Sequence, residues 1–310
     1  MQEKRSTSTR TALLACALAT IVASATPATA GVPEVVVGTE RWELEPAASS
    51  TFEAWTEARI GRTGFRSTVY ARAMGGARFR VSPAGSVAFT GGIDSSTLAY
   101  DRDGDIVLFD LATRNEIAVP NGVNTRRGNE FSPSISEQHL LFVRVRGNRS
   151  SVVLFDMTSS TRTVLYSKAN TDRRFFNVYV GQVNGNYAVW HQDTYSARND
   201  ALVDADVYFH DISGKLTTRL TNPQGTVQYG PSVSANGTVY FGRSGFGCGL
   251  DTQLVQQALD GTESILHDFP NGRDFASSYA LDGGTTEVYF DQGRCREDPP
   301  NQDILKVPAV

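Results

Sequence analysis

The sequence predicts an all-β fold, a six-bladed β-propeller with four antiparallel strands per blade. Three observations carry this. Short runs of Val, Ile, Tyr, Phe and Thr recur between Gly, Asn, Asp and Ser, with a period near two residues and no sustained 3.6-residue pattern. A second pattern, one large apolar residue followed by small or Pro/Gly-rich positions, opens six copies. They begin at Leu44, Phe89, Phe131, Phe176, Tyr229 and Phe275, spaced 45, 42, 45, 53 and 46 residues apart. Each copy then continues through further strand-like segments in one order. Four strands at this period are the signature of a propeller blade.

The elements follow from the N-terminus. Residues 1–30 carry a basic start (Lys4, Arg5, Arg10), the apolar run 12–25 and the small residues Ala28-Thr29-Ala30, the pattern of a secretory signal peptide. Leu13-Leu14-Ala15-Cys16 also resembles a lipobox, which offers a lipid anchor at Cys16 as the alternative to full export. Residues 31–310 are then a single propeller domain. Innermost strands follow each leading residue; blades converge on an axis, so bulky side chains would collide there. Second strands are expected at 52–55, 97–100, 140–143, 187–190, 239–241 and 288–290, and third strands at 68–72, 105–110, 152–156, 206–211, 252–256 and 303–307. Fourth strands are expected at 78–81, 116–119, 162–166, 217–221 and 263–267. The sixth copy lacks a fourth strand. The spare segment Val32–Gly38 is therefore expected to complete the last blade and close the ring, which removes two open sheet edges.

Charge and cysteines bound the function. The chain carries −4, and the leader holds three basic residues and one acidic, so the remainder carries −6. With no Lys/Arg run, the electrostatic footprint of a nucleic-acid binder is missing. No segment is long enough to span a membrane comfortably, and a monomer is expected. Cys248 and Cys295 are an even pair in an exported chain, which predicts one disulfide closing about 47 residues.

The segment Asp206-Val-Tyr-Phe-His-Asp-Ile-Ser-Gly-Lys-Leu-Thr-Thr-Arg-Leu-Thr-Asn222 resembles the WD-like repeat of the TolB-type propeller family. Ser234-Ala-Asn-Gly237 and Leu281-Asp-Gly-Gly284 resemble that family's turn between the first two strands. The likeness spans roughly residues 32–310, and the family's small N-terminal α/β domain has no counterpart. It implies a propeller acting as an exported interaction module.

Candidate sites cluster at one mouth of the ring. The residues preceding each leading position, Glu43, Ala88, Glu130, Phe175, Gln228 and Asp274, are expected to circle the channel entrance. Their carboxylates, amide and aromatic suit a polar ligand or cation, against the plainer reading of solvated loop positions. Segments 192–204, 243–251 and 292–302 read as long loops of blades four to six on this face, a usual mark of a binding surface. Cys248 and Cys295 fall in two of them. Asp101, Asp103 and Asp105 alternate around Gly104, the ligand type of calcium, though a plain Asp/Gly turn explains them equally. His139, His191, His210 and His267 occupy unrelated repeat positions. The resulting expectation is a non-enzymatic module for a protein or cell-envelope ligand. The alternative is a hydrolase or lyase for a lactone or glycan, with Glu43, Glu130 and Asp274 converging on calcium.

Overall fold

The computed structural model describes residues 32–39, 41–61, 64–220, 222–245, 252–269, 278–280, 287–293 and 302–309. The leader with Cys16, the candidate Asp274 and both cysteines, Cys248 and Cys295, lie outside the described residues. Among the described residues every regular element is a strand.

A short strand β1 (Glu34–Val37) precedes a run of four, β2 (Trp42–Ala48), β3 (Phe52–Gly61), β4 (Gly64–Ala73) and β5 (Phe79–Arg80). Four more antiparallel runs of four follow. They are β6 (Ala88–Asp94), β7 (Thr97–Arg102), β8 (Asp105–Asp110) and β9 (Asn115–Ile117), then β10 (Asn129–Ser136), β11 (His139–Arg146), β12 (Arg149–Asp156) and β13 (Thr161–Ala169). Next come β14 (Arg174–Asn184), β15 (Tyr187–Ser196), β16 (Leu202–Asp211) and β17 (Leu216–Arg219). The fourth comprises β18 (Thr226–Val233), β19 (Val239–Gly245), β20 (Thr252–Gln257) and β21 (Glu263–Phe269). Last are β22 (Ser278–Ala280), β23 (Glu287–Gly293) and β24 (Gln302–Pro308). The four runs from β6 to β21 each pair in sequence order as a four-stranded sheet, while β22–β24 and β2–β5 belong to one eight-stranded sheet in which β24 joins β2 through one parallel bridge, Trp42 to Gln302. β1 lies antiparallel on the free edge of β24, with Glu34 opposite Lys306 and Val35 opposite Leu305.

Burial explains why these residues make these sheets. Second and third strands are apolar on both faces because each sheet is covered by a neighbour on either side. Leu140, Phe142, Val153 and Phe155 pack onto Ala99, Ile106 and Leu108 of the preceding sheet. Leu141, Val143, Val152 and Leu154, on the opposite face, pack onto Val178, Val183 and Trp190 of the next. Outer strands β9 and β17 are exposed throughout.

The first strands β2, β6, β10, β14, β18 and β22 touch in succession, and β22 also touches β2. Their approach is close enough to dictate residue type. A Cβ on Gly91 would sit 2.0 Å from the carbonyl oxygen of Pro133, and one on Gly181 would sit 1.8 Å from that of Pro231. No side chain fits at either position. Hydrogen bonds repeat at this seam: Ser134 Oγ accepts from Val183 N (3.0 Å), and Gln182 Oε1 accepts from Val233 N (3.2 Å). One step further along, Asp94 Oδ2 accepts from Glu137 N (2.7 Å) and Ser136 Oγ from Gly185 N (3.2 Å).

These bonds correct the repeat register of the fourth copy. Matching Gly185 to Glu137 and Gln182 to Ser134 makes Tyr179, rather than Phe176, the counterpart of Phe131. The cross-strand pairs agree, Phe131 facing Val143 and Tyr179 facing His191. Flanking spacings of 45 and 53 become 48 and 50. A three-residue extension at the start of β14 conceals this, because Phe176 is itself apolar and followed by Asn.

Candidate functional site

Second-to-third-strand hairpins turn at the end where first strands begin. Segment 192–204, expected as a loop, is mostly strand: β15 runs to Ser196 and β16 starts at Leu202. β3 and β4, ten residues each, make a second long hairpin that the sequence hid, since Arg59, Gly61, Gly64 and Arg66 read as loop chemistry. Segments 246–251 and 294–301 of the other two expected loops lie outside the described residues.

Both hairpins bear half-exposed aromatic rings. On β3–β4, Ile60 is 72% and Phe65 42% exposed, and the two sit opposite each other. Phe65 stacks on Phe89 of the next sheet (centroids 5.8 Å apart) and tilts against Trp42 (6.5 Å). On the β14–β15 pair, Phe175 stacks on Tyr195 (5.2 Å) and Tyr179 on His191 (5.0 Å). His191 Nε2 lies 3.9 Å from Asp193 Oδ1, and burial holds its ring below the usual histidine range.

The expected channel-entrance residues occupy varied settings. Glu43 is fully buried; its carboxylate accepts hydrogen bonds from Thr39, and burial pushes its pKa up to about 7. Glu130, also fully buried, takes hydrogen bonds from Arg144 Nε (2.6 Å) and Thr125 Oγ1 (2.9 Å). Arg144 in turn donates to the carbonyl oxygens of Gly122 and Val123. Glu43 and Glu130 therefore serve separate polar contacts. Ala88 and Gln228 are buried and Phe175 is half-buried in its aromatic pair. By the corrected register, Val178 takes the position assigned to Phe175.

Asp101, Asp103 and Asp105 part company. Asp103 turns to Val87, accepting from its backbone N–H at 3.1 Å; it and Gly104 hold positive φ in the β7–β8 turn. Asp105 is exposed. Asp101 points inward instead and accepts from Ser132 N of the next first strand at 3.1 Å. Among the described residues no group of three or more His, Cys, Asp or Glu is arranged to hold a metal ion.

A different acidic cluster surrounds the start of the first strands. Asp291 Oδ2 accepts from Glu45 N (3.2 Å), so Asp101 and Asp291 both cap the residue after a leading position. Ser132 and Glu45 hold φ of 48° and 52° there, the left-handed region that non-glycine residues seldom enter. Thr56 Oγ1 lies 3.3 Å from Glu45 Oε2 and 3.0 Å from Thr90 Oγ1, linking two sheets. Burial, then the charges of Asp101 and Asp291, raise the Glu45 carboxyl well above the usual range; the Thr56 hydrogen bond opposes this. Burial pushes Asp101 up to about 7 against the Ser132 hydrogen bond. The Tyr179 hydroxyl, raised by burial and then by Asp193, also feels Glu45. Glu45 and Asp291 escaped notice in the sequence because neither stands just before a leading position of a repeat: Glu45 follows Leu44, and Asp291 lies on a second strand.

No family model matches this chain, and no curated protein matches it either. Solved structures do. TolB from Acinetobacter baumannii superposes with a TM-score of 0.55 at 15% identity, over 84% of this chain and 64% of that one. The chain thus spans less than two thirds of TolB's length. An oligogalacturonate lyase in complex with manganese gives 0.52 at 9% identity, covering 90% of this chain and 96% of that one. A protein of unknown function from Dyadobacter fermentans gives 0.55 at 9%, covering 90% and 98%. The likeness is one of fold: the chain is all-β with β-propeller neighbours.

Proposed function

We propose that this chain is a six-bladed propeller closed by β1, working outside the cytoplasm as a monomeric, non-enzymatic binding module of TolB-like type. Six successive first strands in contact and the β1–β24 pairing support the architecture. The partner, a protein or cell-envelope component, would sit on the face where first strands begin. The observation that carries this is the pair of long hairpins, β3–β4 and β15–β16, at that end. Phe65, Ile60, Phe175 and Tyr195 stay partly open to water there, although a single sheet-covering contact would hide them. Aromatic side chains that are stacked, and so rigid, bind at low entropic cost. The face differs from the blades four to six expected from loop length, since β3–β4 belongs to blade one.

The test compares the secreted chain with a variant carrying Phe65→Ser and Phe175→Ser. A partner retained by the native chain and lost by this variant, with folding unchanged, is the expected result. Equal retention by both, or turnover of a lactone or glycan by the native chain, would overturn the reading.

A further inference from the structure

We propose that one end of the β10–β13 sheet docks a short acidic segment of a partner protein, through six arginines assembled from three separate loops. The proposal rests on the binding face inferred above and names the chemistry of its partner. Arg126 and Arg127 lie between β9 and β10, Arg146 and Arg149 flank the β11–β12 turn, and Arg173 and Arg174 lead into β14. All six are exposed. Segments 121–129, 146–149 and 170–174 hold them beside one acid, Asp172, in a chain of net charge −4.

Backbone pairing sets the three loops side by side. Asn129 faces Val145, and Arg146 faces Arg149. Asn170 N donates to Asn148 O at 2.8 Å, and Asn148 Nδ2 donates to Asn170 O at 3.2 Å, which ties the third loop to the second. Polar contacts also hold the loops in place. Arg144, buried against Glu130, reaches the carbonyl oxygens of Gly122 and Val123, and Thr171 Oγ1 accepts from Arg173 N (3.4 Å) and Arg174 N (3.1 Å). Arginines elsewhere find acidic partners: Arg41 and Arg78 share Glu57, Arg102 meets Glu116, and Arg243 meets Glu263. None of the six forms an ion pair among the described residues, which run unbroken here from β4 to β17; Arg149 donates to the neutral Ser167 Oγ at 3.2 Å. Like charges held together on fixed loops favour a counter-charge from outside, and guanidinium forks match carboxylates.

The limits of the patch select the partner. Exposed Asp103 and Asp105 lie on the β7–β8 turn, whose Gly104 O accepts from Glu130 N at 2.8 Å. Exposed Asp200 lies on the β15–β16 turn, whose Ala197 N donates to Arg173 O at 3.0 Å. A nucleic acid or acidic polysaccharide would run on over these carboxylates, whereas a short acidic peptide ends before them. Phe175, stacked on Tyr195, follows Arg174 and offers a rest for an apolar side chain of the segment. Arginine beside aromatic rings is the composition of a protein interface, and arginine clusters read acidic motifs. Glu137 and Asp156 stand at the other end of the same sheet, so the polarity also orients an acidic partner.

The probe is a fluorescent oligoglutamate peptide ending in one phenylalanine, titrated onto the full chain at low and at moderate salt. Binding that weakens with salt is expected. Arg146→Ser with Arg149→Ser, or Arg173→Ser with Arg174→Ser, should each weaken it about fivefold with Tm unchanged. Arg114→Asn with Lys215→Asn removes the same charge from exposed turns at the opposite end and should bind as the native chain does. Equal weakening by that control would reduce the effect to net charge and overturn the proposal. So would absent peptide binding, or tighter binding of polygalacturonate or duplex DNA at equal charge. A natural partner lost by Phe65→Ser with Phe175→Ser yet retained by both arginine variants would sink this proposal and leave the binding face standing. Peptide binding lost only in the arginine variants supports the patch however the phenylalanine variant behaves.

Discussion

At the residue scale, the first strands show how close approach selects side chains. Aligning them by their seam bonds places Pro46, Gly91, Pro133, Gly181 and Pro231 at one position. Pro and Gly alternate, and each Gly lies where a neighbouring Pro presents its carbonyl and its ring: Pro133 Cγ would be 2.7 Å from a Cβ on Gly91. Two bulky residues could not adjoin there, whereas a proline needs no N–H in a bulged strand. Gly91→Ala should therefore cost about 3 kcal/mol or more in denaturant unfolding, because the obstructing atom is backbone and cannot swing aside. Gly61→Ala, whose Cβ would find only Gly64 O at 3.8 Å, should be nearly neutral. The need for slim residues was legible in the sequence; which neighbour imposes it was not, since Pro133 lies 42 residues from Gly91.

At the element scale, hydrophobic alternation located each described strand, often short at its ends. β3 and β4 continue past the expected segments because a hairpin can extend on paired backbone alone once its base is packed. Ile60, Phe65 and the flanking arginines then ride on backbone pairing rather than on a core. For the same reason segment 192–204 looked like an insertion: Asp193, Thr194, Ser196 and Asp204 are polar, yet Asp193 to Thr194 pair with Ala205 to Asp204. β1 is the opposite case, a four-residue strand legible from its three valines. It is held by more than its ladder: Arg72 Nη2 donates to Val36 O at 2.9 Å, and Lys306 reaches Glu34. Deleting residues 31–38 should lower stability by several kcal/mol, well beyond an ordinary tail deletion, because it opens the edge of β24 and exposes Val37's neighbours. Equal denaturation midpoints with and without the segment would contradict this.

At the scale of the whole molecule, stability is distributed between sheets rather than gathered in one core. Apolar clusters fill the gaps between neighbours, and each sheet depends on the next for cover. Such an arrangement is secure only if the first and last sheets also meet. The recurring order of short strands made an all-β architecture of four-stranded antiparallel sheets readable from sequence. The capping of first strands by Asp101 and Asp291 was not readable, because each carboxylate reaches a backbone N–H far away in sequence, Ser132 and Glu45. Closure is thus the premise on which the proposed binding face stands.

The direct measurement of closure is a cysteine pair, Val35→Cys with Leu305→Cys, placed at directly opposed positions of β1 and β24 and read by mass after proteolysis under mild oxidation. A closed ring gives a cross-link within one molecule, formed in dilute solution and raising Tm. Free thiols at both positions, or cross-links only between molecules, would contradict it.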